Sequence, residues 1–146
     1  MRSHPTLRKL FPLLVALCLL SVWTTGVLAQ SSTPDPVASL RSAKLIYVKS
    51  SSVLVGASVV EEKLQKRREF SQMGLVITRD PEAADLILEL HHDVFTKYVY
   101  TAVDARTRIV VAGGKLSSLG GTVAGKVAKR FLQEVMKARS TAPAKT

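Results

Sequence analysis

The stretch DLILELHHDVF, residues 85–95, places Leu86, Leu88, Leu90, His92 and Val94 on one side and Asp85, Glu89, His91 and Asp93 on the other. Side chains of a strand point alternately to opposite faces, so this period of two predicts a strand with one face in a core and the other in water. Upstream, Asp80 and Pro81 in DPEAA (80–84) mark a turn, and LVIT (75–78) reads as a second, buried strand. Before that strand, residues 59–73 are strong helix formers ending at Gly74, where glycine tolerates the left-handed cap conformation. Ser58 stands three residues before Glu61, the spacing of a capping box at the helix start. AKLIYVK (43–49) reads as the first strand.

Downstream, KYVYTAV (97–103) and RIVVA (108–112) flank DART (104–107), which predicts an antiparallel hairpin. GGKLSSLGG (113–121) reads as a mobile loop. Val123, Ala124, Val127, Ala128, Phe131, Leu132, Val135 and Met136 recur at helical spacing, an apolar stripe that predicts a final helix lying on a sheet. The expected fold class is α+β: a two-layer sandwich in the order β-α-β-β-β-β-α, with two helices packed on one face of a mixed sheet. The first strand, helix and second strand are expected to form a βαβ unit, and the later strands a meander.

The amino-terminal segment sets the expected compartment. Arg2, Arg8 and Lys9 precede an apolar run over residues 10–22, and Val27 and Ala29 stand three and one residues before Gln30. This is the layout of a signal peptide over residues 1–29, cleaved after Ala29, and it predicts a secreted or periplasmic protein. An uncleaved amino-terminal membrane anchor is the alternative, opposed by Pro12 and the polar Thr24-Thr25-Gly26 step. A lipid-modified cysteine does not fit, because Cys18 lies inside the apolar run after Leu17. Residues 30–39 read as a flexible linker, 40–139 as one domain and 140–146 as a disordered tail.

Cleavage removes Cys18, the only cysteine, so no disulfide, thiolate nucleophile or cysteine metal site is expected afterwards. The chain has 21 Lys and Arg against 11 Asp and Glu; without Arg2, Arg8 and Lys9, 18 cations still face 11 anions. Such a surplus favours anionic partners such as lipid headgroups or cell-wall polymers, while export argues against nucleic acid.

The motifs LIYV (45–48), QMGLVIT (72–78), AADLILEL (83–90) and YTAVDART (100–107), followed by a final helix, resemble small bacterial envelope modules of the kind seen in the TolB amino-terminal domain and the penicillin-binding-protein activator LpoB. Modules of this type commonly carry glycine after the hairpin threonine, where this chain has Arg108. The resemblance implies a binding or scaffolding domain without catalysis.

Candidate chemistry is sparse. His91 and Asp93 share a strand face with Glu89, but side chains two apart on a strand diverge too far for a tetrahedral site, so no metal is expected. No serine stands in a G-x-S-x-G context, and the paired carboxylates Glu61-Glu62 belong to a helix start. Lys115 precedes Leu116 where a phosphate loop requires Ser or Thr, so no cofactor is expected. Two surfaces remain. Tyr98 and Tyr100 on the hairpin are expected to face outward and contact another envelope protein. Lys63, Lys66 and Arg67 are expected to form a basic ridge on the first long helix, the alternative route, to anionic lipid or polymer, with Lys126, Lys129 and Arg130 as a second ridge. The expected function is that of an exported, non-catalytic binding or scaffolding domain of the bacterial envelope.

Overall fold

The computed structural model describes residues 35–94, 96–118 and 122–141. Residues 1–29, expected to be a signal peptide, residues 30–34 of the expected linker and the expected tail beyond Thr141 lie outside the described residues.

The alternating stretch forms β3 (Leu86–His92), the middle strand of a five-stranded sheet. With β1 (Leu45–Ser50), β2 (Val76–Thr78), β4 (Lys97–Asp104) and β5 (Val110–Ser117), the order is β2-β1-β3-β4-β5. β1 pairs parallel with both β2 and β3, whereas β3, β4 and β5 form an antiparallel meander. The expected mixed sheet is therefore present, with the long helices against one face. Ile46, Val48, Leu86, Leu88 and Leu90 of the sheet meet Val60 and Leu64 of α2 (Ala57–Gln65) and Val127, Phe131 and Val135 of α4 (Val123–Ser140) in one buried cluster. Ala138 completes the stripe of α4, and Met136, expected inside it, is exposed.

Several local expectations need correction. A helix, α1 (Pro36–Ser42), occupies part of the stretch read as linker. Asp35 caps it by accepting from the Val37 N–H at 2.9 Å, Pro36 sits in its first turn, and Leu40 is buried. The helix expected over 59–73 is two helices, because Arg67 adopts an extended conformation (φ −89°, ψ 130°) between α2 and α3 (Arg68–Gln72). Val60 and Leu64 point inward four residues apart, and continuing that phase would have driven Arg67 or Arg68 into the core; the break turns Phe70 inward instead. The Ser58–Glu61 capping box does not form, since Gly56 occupies the cap position without a side-chain bond and Ser58 lies inside α2.

Gly74 does take the left-handed conformation (φ 64°). Its N–H reaches Ser71 O, and the next N–H, that of Leu75, reaches Phe70 O, the paired bonds of a Schellman cap. β2 is a short edge strand rather than a buried one: Leu75, just before it, is in the core, while Val76 is exposed. β3 ends at His92, so Val94, expected on the core face, is exposed in the following turn. Gly113 and Gly114 belong to β5 and not to a loop. Their role there is clearance: a Cβ on Gly113 would stand 2.9 Å from Tyr100 O, and one on Gly114 3.1 Å from the Tyr100 ring.

Polar anchors fix the margins. The Asp85 carboxylate accepts from the N–H groups of Lys44 and Leu45 at 2.8 and 2.9 Å, tying the start of β3 to that of β1. Arg139 spans the far end of α4, donating to Met73 O at 2.6 Å and Ala43 O at 2.7 Å, and Arg41 donates to Ala138 O at 3.0 Å. In the hairpin turn, Asp104 Oδ1 accepts from the N–H groups of Arg106 (3.0 Å) and Thr107 (2.8 Å), and Oδ2 accepts from Ser39 Oγ of α1 (2.7 Å). Burial pushes the Asp104 carboxyl up, but these bonds outweigh it and hold the group below the ordinary aspartate range. Arg108 carries φ 61°, so it fills the left-handed position that glycine takes most easily.

Candidate functional site

The structure separates the expected contact residues. Residues directly opposite one another in a sheet share a face, and β3–β4 pairing sets Tyr98 against His92 and Tyr100 against Leu90, on the helix side. Tyr98 and Tyr100 are 1% and 2% exposed, so they are core residues and not the outward contacts expected. The Tyr98 ring stacks on His92 at 4.8 Å between centroids. Burial pushes the Tyr100 hydroxyl pKa up, with Glu134 adding to the effect and Arg130 opposing it.

The basic ridge is also dispersed. Lys66 lies beyond the end of α2 and pairs with Glu62, while Arg67 Nη2 donates to Gly125 O of α4 at 3.2 Å. Lys63 alone of the three is within α2, where it is half-buried. Arg67 thus ties α2 to α4, Lys66 is neutralised by Glu62 of α2, and the three do not present a continuous cationic face.

The face of the sheet turned away from the helices carries the most distinctive surface. Pairing aligns Thr78, Tyr47, Ile87, Val103 and Val110 as one row across all five strands. Leu45 and Val76, opposite each other, stand beside that row. Ile87 is only 6% exposed, whereas Val110 at the end of the row and Val76 beside it are 56% and 54% exposed. A bulge opposite Ala102 and Val103 sets Val110 against Val103 and lets Val111 turn toward the core.

Toward the other end of the same face the character changes. Lys49 and Glu89 pair at 3.7 Å, Thr101 lies beside Glu89, and Lys115 stands opposite Val99. His91 accepts or donates to Ser51 Oγ at 2.8 Å and lies 3.5 Å from Glu89 Oε2. This serine, histidine and glutamate are solvent-facing, Glu89 is shared with Lys49, and the Ser51 N–H is spent on Leu90 O. The arrangement is a hydrogen-bond network at the surface of the sheet. Among the described residues there is no group of three His, Cys, Asp or Glu that could hold a metal ion, and no helix long and apolar enough to cross a membrane.

The apolar row was within reach of the sequence. Ile87 has the parity of the residues read as the wet face of β3 without being one of them, and Tyr47 and Val103 stand opposite it in their strands. Three strands each carrying an apolar side chain on the supposedly wet side was the available signal.

No family model matches the chain, and no curated protein matches it. Among solved structures, one of a PelC dodecamer from Paraburkholderia phytofirmans is similar at 13% identity, over 64% of this chain and 88% of that one, with a TM-score of 0.40. A second PelC dodecamer structure from the same organism is 14% identical over 70% and 91%, with a TM-score of 0.36. The solution structure of uncharacterized lipoprotein B from Nitrosomonas europaea is 15% identical over 66% and 81%, with a TM-score of 0.31. These likenesses are weak, and the motif resemblance to the TolB and LpoB modules has no counterpart in a family model.

Proposed function

We propose that this chain is an exported, non-catalytic binding domain of the bacterial envelope, and that it docks another envelope protein on the apolar end of its open sheet face. The observation that carries the reading is the uncovered row Tyr47, Ile87, Val103 and Val110 with Leu45 and Val76 beside it. Parallel strands are ordinarily covered on both faces, whereas antiparallel strands commonly leave one face to water. Here the parallel strands β2, β1 and β3 carry apolar residues on a face that none of the described helices covers, and a protein partner supplies the missing layer. The signal-like layout of residues 1–29 supports an encounter outside the cytoplasm.

The test is the double variant Val76→Asp, Val110→Asp. Both side chains are mostly exposed, so the thermal midpoint should stay close to that of the parent while co-purification of the partner from envelope fractions is lost. Unchanged recovery of the same partner by the variant contradicts the proposal.

A further inference from the structure

Away from the open face, an open groove of about 340 Å³ runs between the end of β5 and the first half of α4. It is lined by Leu116, Ser117, Lys126, Lys129, Arg130 and Gln133. Lys126, Lys129, Arg130 and Gln133 recur three, four and seven residues apart, which stacks them on one side of the helix.

We infer that this groove binds a phosphoryl group carried on a small organic moiety. Two of its cations are held in place by main-chain carbonyls and a serine hydroxyl and not by acids: Arg130 Nη1 donates to Lys115 O at 2.8 Å, and Lys126 Nζ donates to Ser117 O at 3.3 Å and Ser118 Oγ at 3.1 Å. The remaining donors of both groups, and the whole ammonium of Lys129, stay available. The ion pairs among the described residues fall elsewhere, on Lys49–Glu89, Lys66–Glu62, Arg79–Glu61 and His91–Glu89. Glu134 is the one acid on α4. Three cations without ion-pair partners in a concave site repel one another, and a multiply charged anion relieves that repulsion.

The donor set favours a tetrahedral oxyanion. A guanidinium presents a planar fork to two oxygens, and the ammoniums add point charges at adjacent corners. Leu116 is buried at the groove floor and offers apolar contact to carbon atoms beyond the phosphoryl group, and Gln133 and Ser117 supply neutral polar contacts at its rim. The same chemistry occurs on a phospholipid headgroup and on a soluble phosphorylated metabolite or polymer.

The probes are inorganic phosphate, glycerol phosphate, and vesicles of phosphatidylcholine with or without phosphatidylglycerol, each added to the purified exported protein in salt-matched buffer. Phosphate should shift the backbone amide resonances of residues 115–117 and 126–133, and Lys129→Ala should weaken binding about tenfold while Lys63→Ala leaves it unchanged. Lys129 makes no hydrogen bond or ion pair among the described residues, so its loss leaves the fold intact. Binding of phosphatidylglycerol vesicles as well as glycerol phosphate assigns the group to a headgroup; binding of glycerol phosphate alone assigns it to a soluble source. Identical shifts with sodium chloride at matched ionic strength, or equal binding by Lys129→Ala, overturn the inference.

Discussion

The two faces of one sheet have been built by opposite rules. On the helix side, Ile46, Leu86, Leu88, Leu90 and Ala102 are completely enclosed, and even the polar Asp104 has a hydrogen-bond partner on each oxygen. On the other side, the apolar row ends in Val110 and has Val76 beside it, both more than half exposed, and gives way to the Lys49–Glu89 pair. The contrast separates a closed core from an open surface: the first face holds the fold together, and the exposed margin of the second, at Val76 and Val110, is free to change without unfolding it.

Substituting one residue on each side of the sheet should give losses of very different size. Phe131→Ala empties a fully buried site and should lower stability by about 3–5 kcal/mol, whereas Val76→Thr, which keeps the β-branch, should stay within about 0.5 kcal/mol. Urea unfolding of the two variants measures both, and similar losses would erase the distinction.

Next in size is Gly113→Ala. The added methyl meets the Tyr100 carbonyl at 2.9 Å, a backbone atom that cannot move aside alone, so a loss of about 1–3 kcal/mol is expected in the same assay. This glycine shows how tightly the two faces are coupled through β4, since the carbonyl belongs to the residue whose ring fills the core.

Acid should then weaken the helix side selectively. The Asp104 carboxyl is held below its unfolded value, so its contribution is fully present above the unfolded pKa of about 3.9 and is lost as pH falls through the lower folded value. Urea midpoints of the parent should fall between pH 5 and pH 3 by more than those of Asp104→Ala. The smallest effect is a gain: Arg108→Gly relieves a left-handed backbone and should stabilise by about 0.5–1 kcal/mol after the entropic cost of glycine, read as a rise in thermal midpoint.

Much of the helix side was legible because its signals are local. The alternation in β3, the glycine after α3 and the stripe of α4 each depend on neighbours in sequence, and all three appear, with Val94 and Met136 falling outside the buried set. Asp35-Pro36 was an equally local helix start, obscured by the polar and proline-containing run around it. What escaped depended on register. The facing of Tyr98 and Tyr100 is fixed by their pairing with His92 and Leu90, although Lys97 and Thr101 at the alternate positions hinted that the tyrosines turn inward. Gly113 and Gly114 suggest a loop until the tyrosine above them is known. The basic ridge failed because the break at Arg67 rephases the chain, and the groove on α4 became visible only when β5 supplied its other wall.

Whether the apolar end of the open face meets a protein is read by photo-crosslinking side chains placed one at a time at positions 76, 110, 115 and 137 of the protein in its native host. The same protein adduct is expected from positions 76 and 110 and none from 115 or 137. An adduct from 115 or 137 with none from 76 and 110 would contradict docking on that face.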